Sequence, residues 1–367
     1  MDYGSALVAL ILFIVVVGGL VLVHEVGHYL IARAFGIRVL EFGVGFPPRA
    51  RILRARGETL WTLNWLPIGG FVRLEGEDGD GAGDPRSFAA QRLPRQVAVL
   101  VAGVLMNVVL AFVLFVGIAW LATPVVGVAI PSVQPNSPAS GAGLVAGDAI
   151  VGLNGRTYDL YSDSDILSTL HASAGQTITL TIRHADGTTA DVTVTLRPAS
   201  QVDETHGALG IAATPTHPFE AVFLNQYDSR PLGDALAIGA AELPRWAGLV
   251  VSGLGDLVHS IVTNPSAPPP ASGPIGIAVT LGQVFGETGV IGVLLLAAVL
   301  SINLAVVNIL PFPPLDGGRI LVLVLKRLAG RRISLRAERL TYAIGFVILI
   351  GFVIWISGFD ISGHPSP

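Results

Sequence analysis

Four stretches of this chain are apolar over the length a lipid bilayer requires: about Ala6 to Phe35, Val97 to Leu121, Val290 to Leu310 and Leu340 to Ile356. A hydrocarbon core of about 30 Å takes about 20 helical residues to cross. With no water to satisfy peptide groups, only helices and closed barrels cross it. Continuous runs of this length predict α-helices. Charged residues make up 13% of the chain, about half the ~25% typical of soluble domains. The first run is too long for the apolar region of a signal peptide, and Asp2 is its only early charge. It is expected to stay as a transmembrane helix.

Charge sets the expected orientation. Ten Arg fall between Arg33 and Arg95, and seven Lys or Arg between Arg319 and Arg339. The long stretch from Thr123 to Thr288 carries only Arg156, Arg183, Arg197, Arg230 and Arg245. The positive-inside rule puts the two basic connections in the cytoplasm, and both termini and the central region outside. The net charge of -4 gives no reason to expect a nucleic-acid partner, and without cysteine any metal must be held by His, Asp or Glu.

Between the helices the texture changes. In 37–96, Thr59 to Trp65 and Gly69 to Leu74 alternate like strands around a turn at Pro67 to Gly70. They predict a β-hairpin at the membrane interface on the cytoplasmic side. Glu75 to Asp84 is acidic and Gly-rich and is expected to be a loop. From about 123 to 215, Ile178 to Ile182, an Asp186-Gly187 turn and Val192 to Leu196 predict a hairpin in a β-rich extracytoplasmic domain. Gly143-Leu144, Gly147-Asp148 and Asn154-Gly155 resemble the small-residue helix, turn and strand end of a bacterial PDZ domain. Ala241 to Val262 is amphipathic, and Asn264 to Gly273 is a proline-rich linker; both fall in a 216–287 region expected outside. The predicted fold is therefore an α-helical polytopic membrane protein. It has four transmembrane helices (1–36, 97–122, 288–318, 340–357), an inserted PDZ-like domain, a membrane-associated β element, a cytoplasmic basic loop at 319–339 and an extracytoplasmic tail at 358–367.

His24-Glu25-Val26-Gly27-His28 closes the first apolar run. On a helix, HExxH puts two imidazoles one turn apart on one face with a glutamate beside them, as zinc peptidases present two ligands and a general base. Ionisable groups within a span are functional candidates. Catalytic zinc needs a third protein ligand. The second and fourth apolar runs contain no His, Asp or Glu, whereas the third leads into Asn308 to Gly318, where Asp316 is the carboxylate nearest the membrane. His24 follows Ala6 by roughly 27 Å of helix, so His24 and Asp316 arrive at similar depth. His171, His184, His206, His217 and His364 fall outside the spans and are not expected to be ligands.

HExxH in the first helix together with Asn-x-x-Pro-x-Pro-x-Leu-Asp-Gly at the third resembles the site-2 protease family, nearest to bacterial regulator-of-sigma proteases with PDZ domains. The resemblance extends over nearly the whole chain. It implies zinc held by His24, His28 and Asp316, with Glu25 as base, and Asn308 on the substrate backbone. Val101 to Asn107 resembles the family's second-helix Ala-Gly-Pro-x-x-Asn motif, with Val104 in place of proline, and makes Asn107 a substrate-binding candidate. Gly70 and Phe71 fall in the β segment that lines the substrate path. The implied activity is cleavage of a single-span protein within the bilayer of the bacterial inner membrane, near its cytoplasmic side; the implied substrate is an anti-sigma factor or a signal-peptide remnant. The PDZ-like domain is a size gate or a peptide binder. The alternatives are an inactive PDZ-bearing scaffold and a metallopeptidase cutting outside the bilayer. The sequence leaves the oligomeric state open.

Overall fold

The computed structural model describes residues 3–55, 57–77, 83–158, 166–184, 186–202, 207–212, 222–264, 267–329 and 334–362. The chain divides into two compact units, 1–116 with 239–367, and 117–238. The acidic run from Glu75 lies partly outside the described residues, as do His206, His217 and His364.

In the first unit, α1 (Tyr3–Ala34) ends where Gly36 takes a positive φ of 73° and the chain turns into β1 (Val39–Arg54), which pairs with β2 (Leu60–Leu74). The expected hairpin between Thr59–Trp65 and Gly69–Leu74 does not form as such. Phe42, Gly43 and Val44 face Val72, Phe71 and Gly70 on one side and Trp61, Thr62 and Leu63 on the other. β1 thus lies between the two halves of β2. Beyond the bend at Pro47-Pro48, Arg49, Arg51 and Ile52 face Asn64, Leu63 and Thr62. Tyr29, Phe42 and Trp61 stack within 4.8–5.6 Å of one another and fix α1 to this sheet. At the bend Trp65 is 70% exposed and Leu66 53%. Ala32, Ile37, Val39, Leu74, Phe88 and Val99 form one buried cluster joining the end of α1, both strands and α2 (Leu93–Leu121).

The second unit holds a six-stranded sheet in the order β10–β3–β5–β7–β8, with β6 paired to β5. Its elements are β3 (Thr123–Ala129), β4 (Ser132–Val133), α3 (Pro138–Gly141), β5 (Ala149–Leu153), β6 (Arg156–Thr157), α4 (Ile166–Ala172), β7 (Thr177–Arg183), β8 (Thr189–Thr195), β9 (Ile211–Ala212) and β10 (Val222–Asp228). The β7–β8 hairpin matches expectation, with Thr177 opposite Thr195 and Arg183 opposite Thr189. Asn154 and Gly155, at φ 50° and 75°, make the tight turn from β5 to β6. Ile150, Leu180 and Ile182 are fully buried, each stabilising by about 1.5–3 kcal/mol. β10 pairs with β3, so the β-rich unit reaches beyond its expected boundary at 215.

Five helices among the described residues are long and apolar enough to cross a membrane: α1, α2, α5 (Leu232–Thr263), α6 (Pro274–Ile309) and α8 (Leu335–Ile361). The fifth candidate, α5, contains the amphipathic segment Ala241 to Val262 and is the least apolar of them. Helix α6 starts earlier than expected and breaks at Gly289, whose φ of 64° is open to glycine. Residues 319–339, expected as a basic loop, begin instead within a helix, α7 (Asp316–Ala329). Its apolar face carries Val322 and Leu323 while Lys326 binds Glu338 of α8 at 2.7 Å. A helix with one basic face reads as a charged connection when only its net charge is considered.

Candidate metal centre

Three side chains converge from two helices. His24 and His28 lie one turn apart on α1, and Asp316 is the first residue of α7. Their exposures are 6%, 8% and 8%. Nε2 of His24 is 3.0 Å from Nε2 of His28 and 3.0 Å from Oδ2 of Asp316; Nε2 of His28 is 3.3 Å from the same oxygen. At zinc bond lengths of 2.0–2.1 Å, tetrahedral ligand atoms stand about 3.3 Å apart. The triangle has that size.

The proton position on His28 fits the same centre. Nδ1 of His28 is 2.8 Å from the carbonyl of Val99. A carbonyl only accepts, so Nδ1 carries the proton and Nε2 presents a lone pair. Oδ2 of Asp316 is buried and accepts no hydrogen bond among the described residues. Lone pairs facing one another across 3 Å repel unless a cation stands among them. The donor set of two imidazoles and a carboxylate is that of catalytic zinc.

The local sequence accounts for the approach of each element. Helix α2 crosses behind the two histidines at Gly103, where a Cβ would lie 2.5 Å from Nε2 of His28 and 2.7 Å from Nε2 of His24. Asp316 is placed by a reversal: α6 stops at Ile309, the prolines of the next segment carry the chain away from helical geometry, and α7 starts at once. A Cβ at Gly317 would overlap the Ile309 carbonyl, so the reversal is closed to larger residues.

Glu25 stands beside the two histidines, its carboxylate within 4.8 Å of their ring nitrogens. Its Oε2 accepts from the backbone N–H of Val72 at 3.0 Å. The strand therefore aims the carboxylate. Asn308, Gly70 and Phe71 line the same cavity of about 380 Å³ as His24, Glu25 and Asp316. Asn107 does not line it: the residue is fully buried, and its amide lies 3.3 Å from Nδ1 of His24, so it meets a ligand rather than the cavity. His184 is engaged elsewhere, with Asp148 at 2.9 Å.

Sequence reasoning overlooked Val99, Gly103, Val72, Glu77 and Arg319. Val99 and Val72 act through backbone atoms and leave no side-chain signal. Arg319 had one, its helical spacing of three from Asp316.

The sequence profile of peptidase family M50 matches residues 12–352. Zinc metalloprotease RasP of Geobacillus kaustophilus is 29% identical, with 97% of this chain and 98% of that one covered. A Nostoc sp. protein provisionally named zinc metalloprotease all3971 is 31% identical over 94% of this chain and 93% of its own. The solved PDZ domain of an SdrC-like protein from Listeria innocua is 25% identical and covers 25% of this chain and 97% of that one; its TM-score of 0.21 carries no fold assignment.

Proposed function

The chain belongs to peptidase family M50, the site-2 proteases, and from that membership and the geometry of its site we propose that it is a zinc metalloprotease that cleaves a membrane-spanning protein within the bilayer. The observation that carries this reading is the convergence of His24 Nε2, His28 Nε2 and Asp316 Oδ2 within 3.0–3.3 Å of one another. These three residues would hold the zinc. When bound, zinc acidifies a water and polarises the scissile carbonyl.

The rest is done by the chain. Glu25 takes the proton of the attacking water, held in place by the Val72 N–H. The side-chain amide of Asn308 donates to the oxygen of the carbonyl as it gains charge. Asn107 acts behind the site, as an outer partner of His24. A helical substrate hides its carbonyls in its own hydrogen bonds and must unwind to be cut. Gly70 to Leu74 is an outer segment of the β1–β2 sheet; with its Val72 and Leu74 N–H groups held by Glu25 and Glu77, an unwound segment pairs in extended form at its Gly70 end. Gly70 and Phe71 are the contacts there.

The location follows from charge and surface. With the amphipathic α5 lying on the outer leaflet rather than crossing, four spans remain, and the Arg-rich connections favour a cytoplasmic side for β1, β2 and α7 with both termini outside, in a bacterial inner membrane. The exposed Trp65 and Leu66 at the sheet bend suit the bilayer interface. The β-rich unit then lies on the outer side, where a PDZ-type domain limits the size of the substrate ectodomain.

The test is cleavage of a single-span substrate by purified full-length protein in detergent, with bound zinc quantified. Glu25→Gln is expected to keep its zinc and to lose about 10²–10⁴-fold in rate, the scale of general-base catalysis. Undiminished cleavage in that variant sinks the assignment of the base, and wild-type protein that binds no zinc sinks the reading as a whole.

A further inference from the structure

Arg319 stands three residues after Asp316 on α7, and both line the metal-site cavity. Side chains at that spacing are neighbours, with Cβ atoms about 5–6 Å apart. A guanidinium and a carboxylate form strong, charge-assisted and often bidentate pairs. An unoccupied Arg319 would therefore compete with a metal for the Asp316 carboxylate.

The structure turns Arg319 elsewhere. Its Nη2 donates to Oε1 of Glu77 at 2.6 Å. Oε2 of Glu77 accepts from the backbone N–H of Leu74, the last residue of β2, at 3.0 Å. The two carboxylate oxygens thus divide their partners, one fixed by the strand and the other holding the guanidinium. Glu77 itself lines the cavity. The next outward N–H along the same strand, that of Val72, is taken by Glu25.

We propose that Glu77 is a positioning residue that holds Arg319 away from Asp316, leaving the carboxylate to the metal, and that it locks α7 to the strand edge on which substrate is laid. The inference rests on the reading of His24, His28 and Asp316 as zinc ligands.

A plain structural ion pair and a restraint on Arg319 differ in sign. If the pair only braces the fold, losing either partner does the same harm. If Glu77 restrains Arg319, losing Glu77 releases a competitor for Asp316, and losing Arg319 as well removes that competitor. The experiment measures zinc transfer from the full-length, zinc-loaded protein in detergent to an excess of a fluorescent zinc chelator, for wild type, Glu77→Gln, Arg319→Gln and the double variant. Melting temperatures are recorded alongside. Glu77→Gln is expected to release zinc about 10–100-fold faster, the range for outer-shell substitutions. Arg319→Gln is expected to stay near wild type, and the double variant to return toward it. Equal release from both single variants with no recovery in the double overturns the proposal, as does wild-type retention in Glu77→Gln. If Glu77→Gln does not fold, Arg319→Gln still decides: release at least about 10-fold faster than from wild type shows that the site needs Arg319 itself and overturns the proposal. Wild-type protein that never holds zinc refutes the ligand set instead.

Discussion

The side-chain amide of Asn107 stands 3.3 Å from Nδ1 of His24, and the other end of that amide, Oδ1, is buried with no hydrogen-bond partner among the described residues. A half-turn of the amide exchanges its oxygen and nitrogen. With Oδ1 toward the ring, Asn107 accepts the Nδ1 proton and His24 offers Nε2 to the metal, as His28 does with the Val99 carbonyl behind it. Asn107→Leu is therefore expected to weaken zinc binding by about 10–100-fold, and Asn107→Asp, which keeps an acceptor, to bind nearly as wild type. Chelator competition measures both; equal affinity in the leucine variant would show that the contact is incidental.

Gly103 separates two effects that usually travel together. In mid-helix, alanine is favoured over glycine by roughly 0.5–1 kcal/mol. Here the added Cβ would press on both imidazoles. Gly103→Ala is expected to melt no lower than wild type when both are free of zinc, yet to gain nothing when zinc is added. A zinc-dependent rise in its melting temperature equal to that of wild type would falsify the close packing.

Metal removal should cost stability in proportion to occupancy. A ligand at 100 times its dissociation constant stabilises the folded form by about 2.7 kcal/mol. The melting temperature of the wild type is expected to climb with free zinc, and that of Asp316→Ala to stay flat. A parallel climb in both would place the stabilising zinc elsewhere.

Glu58 reports on pH at the edge of the β element. Arg86 binds its carboxylate through two hydrogen bonds of 2.5 and 2.7 Å, Arg33 adds one of 3.1 Å, and the Arg86 bonds foremost hold its pKa down at about 2, below the ordinary 4.5. A group whose pKa is lower in the folded state stabilises fully above its unfolded value and loses that contribution as pH falls toward the folded one. The deficit of Glu58→Gln in melting temperature is thus expected to be constant above pH 4.5 and to vanish toward pH 2. The pair is exposed, so the deficit is small and shrinks with added salt. A deficit that grows on acidification would contradict this sign.

The proposed ligands stand out because their chemistry is written in side chains at fixed spacing: His24 and His28 one turn apart, Asp316 beside a proline-broken segment. The sheet was not. Val39–Arg54 carries two adjacent prolines and three arginines, which read as loop, and its place between the halves of β2 depends on Phe42 and Trp61 meeting across distant segments. Helix α7 read as a basic loop because its charges hide an apolar face that only packing reveals. Strand β10 draws its partner from β3, nearly the whole unit away, and no local pattern records such a pairing. Asn107, expected to bind substrate, instead meets His24, since neither a motif nor a spacing says which side of an imidazole an amide will meet.

The entry of Asp316 from α7 has a consequence for the timing of synthesis. A nascent chain emerges with both histidines and Glu25 on its first helix, but the carboxylate that completes the triangle follows only after α6. Until then the growing polypeptide lacks the Asp316 carboxylate of the proposed triangle. On the proposed ligand set, hydrolytic competence is thereby withheld from any chain not yet synthesised past α6, while its first helices are already in the bilayer.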